Sequence, residues 1–196
     1  MAAKLTLDDI ADLRAYERER DEFRARVIDL KKRRRVGVGP IVTFVFENRD
    51  TVRFQVQEMA RVERMLTDEA IQTELDTYNP LIPEAGQLSA TMFIELTDGE
   101  ELRGWLPRLV GIERAPELRL ADGTAVVATP DPAHAARLTR EEVTASVHYV
   151  RFDLTDAQVA AFAAGPVRLA VRHPNYDESV ELSPGTVEEL VADLRG

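Results

Sequence analysis

The sequence predicts an α+β fold, a helical N-terminal half packed on a mostly antiparallel β-sheet, with short C-terminal helices. Three observations point to it. Apolar residues early in the chain recur at helical spacing: Tyr16, Phe23, Val27 and Leu30 repeat at seven, four and three. From Leu88 onward the pattern changes to short β-branched and aromatic runs separated by Gly, Pro, Asn and Asp. Asp122-Gly123 joins two such runs with a dipeptide that favours a tight hairpin, so neighbouring strands should run antiparallel. The chain reads as a single domain over 1–196, with a helical lobe at 1–86 and a sheet-rich lobe at 87–196.

Taken in order, Thr6 caps a short helix that carries Asp8 and Asp9 in its first turn and runs to about Ala15. A second helix covers about Glu17 to Arg34, with Glu22/Arg26 and Asp29/Arg33 paired at helical spacing. Gly37 and Gly39-Pro40 end it. Ile41 to Phe46 is a buried strand. Residues 51–57 alternate like a strand, with Asn48-Arg49-Asp50 as its turn. Yet Val52, Val56, Met59 and Val62 also fit a helix opened by Asp50, and helix is the reading adopted here. Residues 68–78 are helical, and Asn79-Pro80 through Pro83 and Gly86 form a rigid boundary loop.

Beyond the loop, Leu88 to Leu96 is a strand, and Asp98 with Glu101 forms a capping box for a helix that carries Trp105 and breaks at Pro107. Val147–Leu154 and Val167–His173 are strands. The helix between them is capped by Thr155 and stopped by Gly165. Pro174-Asn175 turns into a last strand near Val180, and Ser183-Pro184 opens the final helix with proline in its first turn.

Composition excludes several classes. Apolar residues make up 44% and charged residues 31% of the 196, as in ordinary globular proteins. No run approaches the roughly 18 apolar residues needed to span a bilayer. The N-terminus lacks the apolar core of a signal peptide, so a cytoplasmic location is expected. Cysteine is absent, which removes disulfides, thiolate catalysis and iron–sulfur ligation by this chain. The net charge is −10, yet residues 14–35 hold ten Arg/Lys against five Asp/Glu. A basic stripe on an acidic body argues against general nucleic-acid affinity, because the remaining field repels phosphate. It suits one acidic partner, or contact between copies such as a homodimer.

Candidate sites follow from this pattern. Lys31, Lys32, Arg33, Arg34 and Arg35 form a basic helix end able to grip an acidic surface or a phosphate, although a phosphate loop would place its glycines before the helix. Glu47-Asn48-Arg49-Asp50 concentrates hydrogen-bonding groups, with Arg49 as an anion clamp and Asn48 as an orienter. Its plain alternative is a turn whose side chains satisfy their own backbone. Gln57, Glu58 and His148 complete a possible ligand site with Arg49, in which Glu58 would serve as general base. Metal ligation has no supporting spacing: the residues three before His134, His148 and His173 are Asp131, Ala145 and Ala170. No nucleophile elbow, metalloprotease helix or dinucleotide fingerprint is present, and no cofactor is expected.

From Phe23 to Pro83 the chain resembles a bacterial family of about this length that is a domain of unknown function. The carrying strings are Arg26-Val27-Ile28, Leu30-Lys31-Lys32, Arg35 to Pro40, Phe46 to Val52, Gln57-Glu58-Met59, Glu74-Leu75-Asp76 and Tyr78-Asn79-Pro80-Leu81-Ile82-Pro83. The likeness extends through Leu88-Ser89-Ala90-Thr91, Leu109 to Glu113 and Ser146-Val147-His148. Members are often encoded beside a rubrerythrin-like protein and an iron–sulfur oxidoreductase. The resemblance therefore implies a part in redox or oxidative-stress physiology, with those two proteins as candidate partners. It brings no catalytic residues.

Two functions are expected from this reading. The first is a non-catalytic cytoplasmic accessory protein that docks an acidic partner through the basic helix end. The alternative is a small-molecule or metal-dependent enzyme with a polar site between the two lobes.

Overall fold

Asp12 caps the long N-terminal helix, which begins ahead of the expected Glu17. A computed structural model describes residues 3–132 and 142–196; His134, weighed above for metal, lies outside them. Thr6 caps only a 3-10 turn, Leu7–Asp9. Asp12 then accepts the Ala15 N–H and opens α1, Leu13–Arg34. One helix covers what the sequence divided near Ala15, because Leu13 to Glu17 contains no residue that breaks a helix. Tyr16, Phe23 and Val27 are buried along its inner stripe.

The glycines do not end α1. The chain passes from Arg34 straight into β1, Arg35–Val38, where Gly37 pairs with Thr43 and both valines are buried. Gly39, at φ +68, makes the turn into β2, Val42–Glu47. A Cβ on Gly39 would sit 2.5 Å from the Tyr176 hydroxyl, so both conformation and space require glycine there.

Residues 51–57 are helical, within α2, Arg49–Glu63. Its cap is Asn48 rather than Asp50: Asn48 Oδ1 accepts from Thr51 N at 3.0 Å, and Thr51 Oγ1 accepts from Asn48 N at 2.9 Å. Helix wins over strand because Val52, Val56 and Ala60 then share one buried face. Next come α3, Asp68–Tyr78, and β3, Gln87–Ile94. In α4, Gly99–Trp105, Asp98 caps through the Glu100 N–H at 2.7 Å and not through the box expected with Glu101. Among the described residues there follow β4 (Pro116–Arg119), β5 (Ala125–Val127), β6 (Thr129–Pro130), β7 (Val147–Asp153), α5 (Asp156–Ala164), β8 (Arg168–His173), β9 (Tyr176–Glu181) and α6 (Pro184–Arg195).

The strands form a five-stranded sheet, β1-β2-β3-β7-β6, and a four-stranded sheet, β5-β4-β8-β9. Every pairing is antiparallel, and the fold is α+β. Both sheets share one apolar core with α5 and α6, while α2 and α3 enclose a second around Val52, Val56, Leu75 and Ile82. Residues 125–130 serve each sheet in turn: β5 edges one and β6 edges the other. Between them only Ala128 intervenes, and it donates to Pro116 O at 2.9 Å. No helix among the described residues is long and apolar enough to cross a membrane.

Candidate functional site

Arg49, Gln57 and Glu58 all lie on α2 and turn toward the chain's N-terminal segment and α1. Arg49 donates to Ala3 O at 2.9 Å and to Asp9 Oδ1 at 2.6 Å. Gln57 is fully buried; its Oε1 accepts from Ala11 N at 3.0 Å and its Nε2 donates to Ala11 O at 2.8 Å. That carboxamide replaces a strand partner for one residue of backbone. Asn79 does the same for Leu5, accepting from its N–H at 2.8 Å and donating to its carbonyl at 2.9 Å. These groups strap residues 3–12 onto α2 and the end of α3.

Glu58 accepts from the Tyr16 hydroxyl at 2.7 Å and from Arg20 Nε and Nη2 at 2.7 and 3.0 Å. The Arg20 bond is the main reason its carboxyl is pulled down to about 2. Burial, with the Glu58 carboxylate beside it, pushes the Tyr16 phenol well above its ordinary range. A carboxylate this acidic has little affinity for a proton near neutrality, so the setting does not suit the general-base role that the sequence suggested.

His148 does not join these groups. Its neighbour Tyr149 packs with the α2–α3 core. Successive residues of a strand face opposite sides, so His148 on β7 faces away from α2. It is 2% exposed, with Nε2 within 2.9 Å of Thr144 Oγ1 and of Ala145 O. Burial lowers its pKa, opposed by the charge of Glu113.

The five-residue basic run splits by direction. Arg34 is only 2% exposed and reaches Asp193 at 2.6 and 3.0 Å and Glu189 at 3.3 Å, tying α1 to α6. It is turned inward, out of a partner's reach. Arg33 bonds Glu189 at 2.7 Å and Arg35 bonds Glu95 at 2.6 Å, both at the surface. Lys32 is 70% exposed beside Asp29, and the Lys31 ammonium lies 6.0 Å from the centre of the Phe54 ring. Next to this end runs an open groove of about 590 Å3 between α1 and the start of α2. Phe23, Val27 and Leu30 form its floor, and Arg26, Arg33 and Arg53 line it together with Asp29 and Asp50. Arg53 also stacks over Phe23, 4.9 Å from the ring centre. Each of these arginines already has a carboxylate partner on this chain: Arg26 with Glu22 at 2.6 Å, Arg33 with Glu189 at 2.7 Å and Arg53 with Glu19 at 3.2 Å.

Two buried carboxylates were not singled out from sequence in these settings. Glu47 ends β2 at 3% exposure and accepts from Thr51 Oγ1 at 2.5 Å and Thr91 Oγ1 at 2.6 Å. Its signal is the Glu47-x-x-x-Thr51 spacing across a helix cap, which sequence alone leaves as part of a ligand-binding or turn segment. Glu113 is 5% exposed, and its Oε2 has no hydrogen-bond partner. Among the described residues, no group of three or more His, Asp or Glu side chains is placed to hold a metal ion.

A family model described as a protein of unknown function (DUF3501) matches residues 4–194. The chain is also similar to a solved structure, described as a novel protein of unknown function from Burkholderia pseudomallei K96243. The two share 38% identity over 98% of this chain and 100% of that one, with a TM-score of 0.90. No curated protein matches the chain.

Proposed function

The chain belongs to the DUF3501 family of proteins of unknown function, and we propose that it is a non-catalytic accessory protein that docks an acidic partner through the basic end of α1. The supporting observation is that end itself. Lys31, Lys32, Arg33 and Arg35 keep their charges toward solvent around that end, Arg33 also lining the α1 groove, while the polar groups an enzyme would use on α2 are bonded internally. Cations at such a rim steer a carboxylate-rich surface during encounter. A cytoplasmic bacterial redox or oxidative-stress system is the proposed setting, with the iron–sulfur oxidoreductase or the rubrerythrin-like protein as partner. Pairing between copies is part of the same reading. The enzyme alternative would require Arg49, Gln57 and Glu58 to release the N-terminal segment and α1.

The test is capture from the native host, grown with and without peroxide, using wild type and the Lys31→Glu/Lys32→Glu variant. Both lysines lie outside the buried Arg34 network, so the variant keeps its fold. Recovery of either named protein by wild type and its loss with the variant is expected. Equal recovery by both, or recovery of neither protein, would overturn the proposal.

A further inference from the structure

Most carboxylates of α1 are already engaged. Glu17 pairs with Arg61 at 3.7 Å, Glu19 with Arg53 at 3.2 Å, Glu22 with Arg26 at 2.6 Å and Asp29 with Lys32 at 3.3 Å. The cations of the helix divide differently. Arg20 is held by Glu58, Arg33 by Glu189 and Arg34 by Asp193. Arg14, Arg18, Arg24 and Lys31 have no carboxylate partner among the described residues, and the one acid of α1 likewise left over is Asp21.

Helical spacing puts these groups on one side. Arg14, Arg18, Asp21, Ala25, Ile28 and Lys32 follow one another at four, three, four, three and four, and all are exposed. This outer stripe lies opposite the buried Tyr16, Phe23 and Val27. Arg24 and Lys31 flank Ile28, four residues before it and three after. From Arg14 to Lys32 the stripe runs about 27 Å at 1.5 Å per residue. Ile28 is 44% exposed. One exposed isoleucine is ordinary by itself, and the free cations around it give the stripe its preference.

We infer that the outer stripe of α1 is the surface on which the acidic partner lies. The partner supplies a carboxylate-bearing protein segment of about that length, with an apolar side chain set against Ile28. This rests on the proposed docking of an acidic partner and extends it from the helix end along the helix side. At the end itself Arg33 and Arg35 are occupied by Glu189 and Glu95 and Lys32 by Asp29, which leaves Lys31. A nucleic acid or an anionic membrane fits less well. Both present a dense layer of phosphate, which Asp21 within the stripe and the net charge of −10 repel. A protein can set carboxylates opposite Arg14, Arg18, Arg24 and Lys31 and a cation opposite Asp21.

Fluorescence anisotropy on the purified full chain tests this with a defined probe. The probe is a labelled helical peptide of about 18 residues, with glutamate at every third or fourth position and one central leucine. A DNA duplex of matching length and phosphatidylserine vesicles serve as competing polyanions. Wild type should bind the peptide, more weakly as salt rises, and in preference to either competitor. Arg14→Glu/Arg18→Glu changes two exposed, unpaired side chains, and an acid in the first turn suits the helix dipole, so the fold is kept. Its affinity should fall about tenfold, and Arg24→Glu should weaken binding in the same direction. Arg64→Glu/Arg195→Glu makes the same change of net charge at exposed positions off the stripe and should bind as wild type does. Binding kept by Arg14→Glu/Arg18→Glu but lost by Lys31→Glu/Lys32→Glu would confine the site to the helix end and overturn this inference, leaving the proposed docking intact. Equal loss in the off-stripe variant, equal binding of DNA or vesicles, or no binding by wild type at low salt would also overturn it, while capture of the named partners remains the separate test of the docking itself.

Discussion

Replacing Glu58 by glutamine should cost the protein stability near neutrality and make what remains less sensitive to acid. Glu58 joins α1 to α2 through Tyr16 and Arg20, and its carboxyl is lowered from an ordinary 4.5 to about 2. That drop corresponds to about 3 kcal/mol at roughly 1.4 kcal/mol per pH unit. The side chain is 23% exposed, and solvent screening brings the expectation to about 2 kcal/mol. Because the folded value lies below the unfolded one, this stabilisation is fully present above the unfolded pKa. It is lost as pH falls from about 4.5 toward 2. Urea denaturation followed by circular dichroism across that range should show wild type losing about 2 kcal/mol more than Glu58→Gln, the two curves converging at the acid end. Curves that run parallel over the whole range would refute the Arg20–Glu58–Tyr16 account.

Three further outcomes follow from the same geometry. Arg34→Met leaves Asp193 and Glu189, 13% and 21% exposed, without their shared cation, and should cost about 3 kcal/mol in urea denaturation; pairing it with Asp193→Leu should recover part of that loss. Asn48→Ala removes the α2 cap and should lower stability by about 1 kcal/mol, read as a shift in the urea midpoint at unchanged slope. Gly39→Ala places a Cβ 2.5 Å from the Tyr176 hydroxyl at a positive φ and should cost about 2 kcal/mol or more; a melting temperature equal to wild type would contradict the close approach of Gly39 to Tyr176.

Elements with local signals were legible in the sequence. Thr155 and Gly165 bound α5 as expected, Asp122-Gly123 links β4 to β5, and Ser183-Pro184 opens α6. What failed depended on partners distant in the chain. β1 follows a helix and contains a glycine, so nothing nearby marks it as a strand; pairing with β2 makes it one. The basic run carries no hint that Arg34 turns inward, because its partner Asp193 is 159 residues away. Asn48 and Asp50 are both good caps, and only the position of Thr51 chooses between them. Of the four possible ligand residues, three lie on α2, yet Arg49 sits two turns before Gln57 and Glu58, and each bonds its own partners among residues 3–20, with Arg61 also reaching Glu58. The face of His148 hung on strand parity, which a shift of one residue would have reversed.

The segment 125–130 has a mechanical consequence. It is stitched to one sheet through β5 and to the other through β6, with a single residue of slack at Ala128. Sliding one sheet across the other would break bonds at both ends of this short tether, so residues 125–130 oppose relative movement of the two sheets along their shared core.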